Sequence, residues 1–129
     1  LSERGGEFEG EADASMKREL YRNARCVLVP SQWDEPFGLP TIEALLSGTP
    51  VLGTNRGALP EILTPDVGAI SATLDEMIKA AQTIGTRSPE ACRARAERHF
   101  THLRMAERYV RMYEGMTRSG TLPAGQPAD

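Results

Sequence analysis

Pro30-Ser-Gln-Trp-Asp-Glu-Pro-Phe-Gly-Leu-Pro-Thr-Ile-Glu-Ala-Leu-Leu-Ser-Gly-Thr-Pro50 is the stretch on which the fold turns. The apolar run Cys26-Val-Leu-Val29 leads into it and reads as a strand. An acidic, aromatic, glycine-bearing loop follows and opens a short helix that ends at Gly48. Pro40 suits the first helical position, because its fixed φ is helical and its missing N–H would have been an orphan there. Leu39 to Ile42 then form a helix N-terminus, whose free N–H groups and positive dipole end favour a phosphate. Strand, loop and helix start is the place where α/β proteins hold ligands.

Two carboxylates, Glu35 and Glu43, bracket the loop with seven residues between them. Ile42, Leu45 and Leu46 fall at i, i+3 and i+4 and predict the buried stripe of the helix. Glu43 shares the other face with Leu39 and Ser47 and is expected to be free to reach a ligand. The plainer alternative stays open, in which Glu43 complements the helix dipole and Glu35 is a solvated loop acid.

Working outward, Pro50-Val-Leu-Gly53 reads as the next strand, and Gly48 as the C-terminal glycine cap between helix and strand. Strand, helix, strand at this spacing builds a parallel sheet. Thr54-Asn-Arg-Gly57 is then a loop on the same sheet edge as Glu35. Ala58 to Leu63 reads as a helical turn in which Glu61 caps or braces Arg56, with a ligand contact as the less favoured alternative, and Val67 to Ile70 reads as an edge strand. Upstream, Asp13 or Ser15 caps a helix through Met16 to Ala24 whose charges form a solvated face. Cys26 to Val29 is apolar enough for a strand covered on both sides. Glu7-Phe8-Glu9 hints at a short strand.

Downstream, Leu74, Met77, Ile78 and Ala81 have helical spacing, and Ser88-Pro89-Glu90 opens an arginine-rich helix expected to lie on the surface. Met105, Tyr109, Met112 and Tyr113 form a stripe on a last helix, His102 to Met116, and are expected in the core. Residues 1–116 are expected to form one domain and 117–129 a flexible tail.

At 129 residues the chain is one domain at most, and large enough to bury a core. A net charge of −3 argues against a nucleic-acid surface, so no nucleic-acid partner is expected. No 18-residue apolar run predicts a transmembrane helix, and no signal pattern is present, although peripheral membrane contact stays open. Cys26 and Cys92 show neither metal-ligand spacing nor a framework of pairs and suit a reducing, cytoplasmic compartment. His99 and His102 sit near a helix junction and are read as surface residues. The first residue is Leu, which suggests a piece of a longer chain.

The run from Trp33 to Val51 closely resembles the signature of the retaining nucleotide-sugar glycosyltransferases of group 1: Glu, seven residues, Glu, with Phe-Gly after the first acid and a small-Gly-Thr-Pro-Val continuation. The likeness extends from about Lys17 to Gly115, including Ala24 to Ser31 and the Gly57, Pro60 and Glu61 pattern. It implies two Rossmann-like domains with a cleft between them (the GT-B type). This chain resembles the C-terminal, donor-binding domain, an α/β parallel sheet flanked by helices, lacking its first strand-helix unit and the acceptor domain. Glu35 would then hold hydroxyls of the donor sugar and the charge developing at its anomeric carbon. Phe37, Gly38 and Leu39 would present N–H groups to sugar and pyrophosphate, Thr41 a hydroxyl and N–H to the phosphate, and Glu43 would take the ribose hydroxyls. Leu1 to Gly10 would lie against the base. The resemblance implies a nucleotide-diphosphate sugar as donor, with no cofactor and no metal. The cations that neutralise its diphosphate in this family precede the segment, so the isolated chain is expected to bind nucleotide weakly and not to turn over.

Three rivals stay in view. An epimerase shares the fold but fits the two-glutamate signature less well. A phosphorylase needs a pyridoxal-phosphate lysine, for which Lys17 and Lys79 lack context. A nucleotide-sugar-binding or non-catalytic interaction module is the reading from outside enzymes.

Overall fold

The computed structural model describes residues 5–120. Six α-helices and three strands follow one another as α1 (Ala14–Asn23), β1 (Val27–Val29), α2 (Leu39–Leu46), β2 (Val51–Thr54), α3 (Leu59–Ile62), β3 (Gly68–Ser71), α4 (Leu74–Thr83), α5 (Pro89–His99) and α6 (His102–Ser119), with a 3₁₀ turn at Ile84–Thr86. The strands form one parallel sheet in the order β1-β2-β3, with Val27 opposite Val51 and Val51 opposite Gly68. Each neighbouring pair is joined by a helical crossover, as parallel pairing requires. This is the expected α/β architecture.

Local chemistry sets the helix ends. Asp13 caps α1 by accepting from the Met16 N–H at 2.8 Å. Thr73 and Glu76 close a reciprocal capping box on α4, and Ser88 caps α5 with Pro89 in its first turn. Gly38 precedes α2 in the left-handed region at φ 73°, so the helix starts at Leu39 and Pro40 is its second residue.

The core lies between the sheet, α2, α3 and α5. Val51 and Leu52 of β2, Leu45 of α2, Leu59 of α3 and Val67 are fully buried. Several expectations give way here. Thr41, Ile42, Ala44 and Leu45 form the buried face of α2, while Leu46 is exposed. The reason is that α2 is covered by α5 as well as by the sheet, and small Ala44, Cys92 and Ala96 let the two helices approach. The arginine-rich α5 is therefore a core helix on one side. Its Arg95 binds the carbonyls of Glu61 (2.8 Å) and Ile62 (3.2 Å) at the end of α3, and its Arg93 reaches that of Ser47 (3.4 Å) at the end of α2. Glu61 forms no ion pair with Arg56; its backbone carbonyl serves Arg95 instead.

β1 is an edge strand and not one covered on both sides, and Leu28 is 57% exposed. Glu7 to Glu9 form no strand, and Phe8 is 85% exposed. α6 has no buried residue: Met105, Tyr109 and Tyr113 stand outward, because no described element packs over that face. The same helix runs on to Ser119 and is closed by Gly120, so the tail does not begin at 117; residues 121–129 lie outside the described residues. Among the described residues no helix is long and apolar enough to cross a membrane.

Candidate functional site

The carboxyl ends of β1 and β2 deliver two loops to one edge of the sheet, Pro30 to Gly38 and Asn55 to Ala58. They are joined backbone to backbone, the Ala58 N–H donating to the Glu35 carbonyl at 2.8 Å. The Gly57 N–H donates to the Asp34 carboxylate at 3.3 Å. Gly57 has φ 53°, and a Cβ there would fall on the Glu35 amide and carbonyl oxygen and within 2.8 Å of the Asp34 carbonyl carbon. Only glycine lets the second loop press this close to the first.

The Glu35 side chain is half-buried and turned toward its own loop. The Trp33 indole N–H donates to Oε2 at 3.2 Å and the Gly38 N–H to Oε1 at 3.3 Å. The Gly38 N–H is thereby used within the protein. Phe37 and Leu39 keep their backbone N–H groups without a partner among the described residues, at the start of α2 where the helix dipole is positive. Thr41 is fully buried. Its N–H donates to the Gly38 carbonyl at 2.9 Å, while its hydroxyl has no partner and lies 3.3 Å from where a side chain on Gly38 would begin. A buried hydroxyl without a partner at a helix N-terminus is an uncompensated polar group, the sort a bound ligand can satisfy.

Glu43 sits one turn into α2 and is not free. Lys17 Nζ lies 2.9 Å from its Oε1 and 3.1 Å from its Oε2, and the Tyr21 hydroxyl donates to Oε2 at 3.3 Å. α1 is thus bound to the signature helix by a residue pattern 26 positions upstream, which no local periodicity could indicate. The Glu43 carboxylate raises the Lys17 ammonium above the usual lysine value, by hydrogen bond and by charge. Burial first, and then Glu43, raises the Tyr21 phenol, so both groups stay protonated as donors. The Thr49 hydroxyl donates to the Tyr21 carbonyl and fixes α1 from below.

Beside the loop lies a mainly apolar groove of about 600 Å³, walled by Phe37, Leu39, Phe100, Met105 and Tyr109, with His99 at its rim. Phe37 meets Phe100 edge to face at 6.4 Å, and Arg95 lies over the Phe100 ring at 5.5 Å. Of the residues that the resemblance assigns to donor binding, Phe37 and Leu39 line this groove, and Glu35, Gly38, Thr41 and Glu43 do not. Among the described residues no three His, Cys, Asp or Glu side chains cluster as a metal site needs.

The profile of the family "Glycosyl transferases group 1" matches residues 6–91, two thirds of the sequence. The chain belongs to that family. The solved structure of AviGT4, a glycosyltransferase involved in avilamycin A biosynthesis, superposes with a TM-score of 0.67 at 30% identity over 87% of this chain and 36% of its own. An MMP alpha-(1->4)-mannosyltransferase of Mycolicibacterium hassiacum is 31% identical over 74% of this chain and 25% of its own length. A GDP-mannose-dependent alpha-(1-6)-phosphatidylinositol dimannoside mannosyltransferase of Mycobacterium tuberculosis is 40% identical over 61% of this chain and 20% of its length. This group 1 segment spans about a third or less of the length of the curated relatives it matches.

Proposed function

We propose that this segment is the donor-binding half of a retaining glycosyltransferase that moves a sugar from a nucleotide-diphosphate sugar to an acceptor held by a separate domain. The observation that carries the reading is the start of α2. There, among the described residues, the Phe37 and Leu39 N–H groups are without a partner and the buried Thr41 hydroxyl is orphaned, all within a few residues of Glu35.

In this reading the diphosphate lies across the N–H groups at the start of α2, and Gly38 keeps side-chain bulk away from it. Glu35, already oriented by Trp33 and Gly38, meets the sugar and the positive charge that develops at its anomeric carbon. Glu43 accepts from a ribose hydroxyl. Fixed donors around the departing diphosphate supply the main stabilisation, in place of a metal ion. The name of the Mycobacterium tuberculosis relative makes GDP-mannose the first donor to try.

The test is calorimetric titration of the longest natural polypeptide containing these residues with GDP, UDP and ADP and their sugars, alongside Glu43→Ala. Saturable binding of one nucleotide, weakened about tenfold or more by the substitution, is expected, since hydrogen bonds to a charged group are worth that order. No binding of any of them by the folded protein would overturn the reading.

A further inference from the structure

We infer that Lys17 and Tyr21 are positioning residues that hold the Glu43 carboxylate in the orientation required to accept from a ribose hydroxyl. The inference rests on the donor-site reading above and adds to it two residues outside the signature.

The geometry is specific. Lys17 and Tyr21 are four residues apart on α1 and so share one face of that helix. Asp13 fixes where α1 begins, and the Thr49 hydroxyl holds the Tyr21 carbonyl, so neither donor depends on a loop for its place. Lys17 contacts both carboxylate oxygens and Tyr21 one of them. A carboxylate offers about four lone-pair sites, so one remains after these three contacts, on Oε1, and it is open to a ribose hydroxyl.

Stability does not account for the arrangement. The Lys17 and Glu43 side chains are 40% and 39% exposed, and ion pairs so wet add little to folding. What the contacts do achieve is to remove rotamer freedom from a long, flexible acid before a ligand arrives, which lowers the entropic cost of binding. Lys17 also answers the electrostatic difficulty of a carboxylate one turn into a helix that faces a diphosphate: its ammonium neutralises Glu43 at the point where a free negative charge would repel the ligand.

The experiment compares GDP, UDP and ADP with their 2′,3′-dideoxy counterparts in the longest natural polypeptide, using calorimetry on the wild type, Lys17→Met, Lys17→Arg, Tyr21→Phe and Glu43→Gln. The readout is the ratio of dideoxy to ribo Kd, which isolates the ribose hydroxyls from base and phosphate. A wild-type ratio of about ten or more is expected from one charge-assisted hydrogen bond. Lys17→Met should lower it several-fold while the dideoxy affinity stays the same or falls only slightly, Tyr21→Phe should lower it less, and Lys17→Arg should restore part of it. A Lys17→Met protein whose ratio equals the wild type's, when Glu43→Gln abolishes that ratio, overturns the positioning role and leaves the donor site standing. A ratio that Glu43→Gln leaves intact removes Glu43 from the ribose, and the donor assignment of that acid falls with it.

Discussion

Gly57 and Glu35 are 22 residues apart in sequence, yet their backbones touch. Gly57→Ala places a Cβ against the Glu35 peptide and asks a non-glycine residue to hold φ 53°, so both loops must separate. The left-handed conformation alone costs about 1–2 kcal/mol and the overlap adds to it. A fall in the thermal midpoint together with a loss of nucleotide affinity of at least tenfold is expected, read by calorimetry. A variant that melts lower yet binds as the wild type would detach the Asn55 to Ala58 loop from the site. At this scale the signature is what made the site legible, since Glu35, Phe37, Gly38 and Glu43 are recognisable as a spaced set. Their protein partners were not legible. Whether Glu43 is free or held depends on how α1 docks, and whether the Gly38 and Thr41 N–H groups are available depends on bonds that close only when the loop folds back on itself.

Helix caps and strand runs are local chemistry, so the elements from α1 to α5 stand close to where Asp13, Pro40, Gly48 and Ser88 place them. Which side of a helix faces inward is a property of its neighbours. The methionine and tyrosine stripe of α6 has the spacing of a core helix and stands exposed, and the arginine-rich α5 buries Cys92 and Ala96. The junction of α5 and α6 carries a pH dependence. Burial lowers the His99 imidazole below its usual 6.5, and Arg95, Arg108, Arg98 and Arg104 lower it further. The folded state thus favours the neutral ring. Stability from this group is complete above pH 6.5 and is lost as pH falls through the depressed folded value, because the unfolded chain takes up the proton first. Urea midpoints measured between pH 7.5 and 5 should fall more steeply for the wild type than for His99→Gln. Parallel curves would remove His99 from the balance.

The whole molecule rests on a short three-stranded sheet with its burial concentrated on α2, α3, α5 and β2. Leu45 is fully buried at the centre of the apolar cluster that joins them. Leu45→Ala should therefore cost about 2–5 kcal/mol, the usual range for emptying such a position, measured by denaturant unfolding. A loss under about 1 kcal/mol would mean that α2 is not the keystone of the packing. Parallel topology was readable from strand, helix, strand spacing alone. The openness of β1 and of α6 was not, since apolar content tells that a surface is suited to burial and not what buries it.

The joint between the two loops has a consequence for diversification. Its main bond runs from the Ala58 amide to the Glu35 carbonyl and uses no side chain, so beyond Gly57 and Asp34 the joint that presents Glu35 makes little demand on the identity of the residues around it. Gln32, Asn55 and Arg56 are exposed on that rim and carry none of the joint. Randomising them would change the surface beside Glu35 while the joint stays in place, so under the proposed donor-site reading this rim is where substrate preference could be altered without loss of the frame.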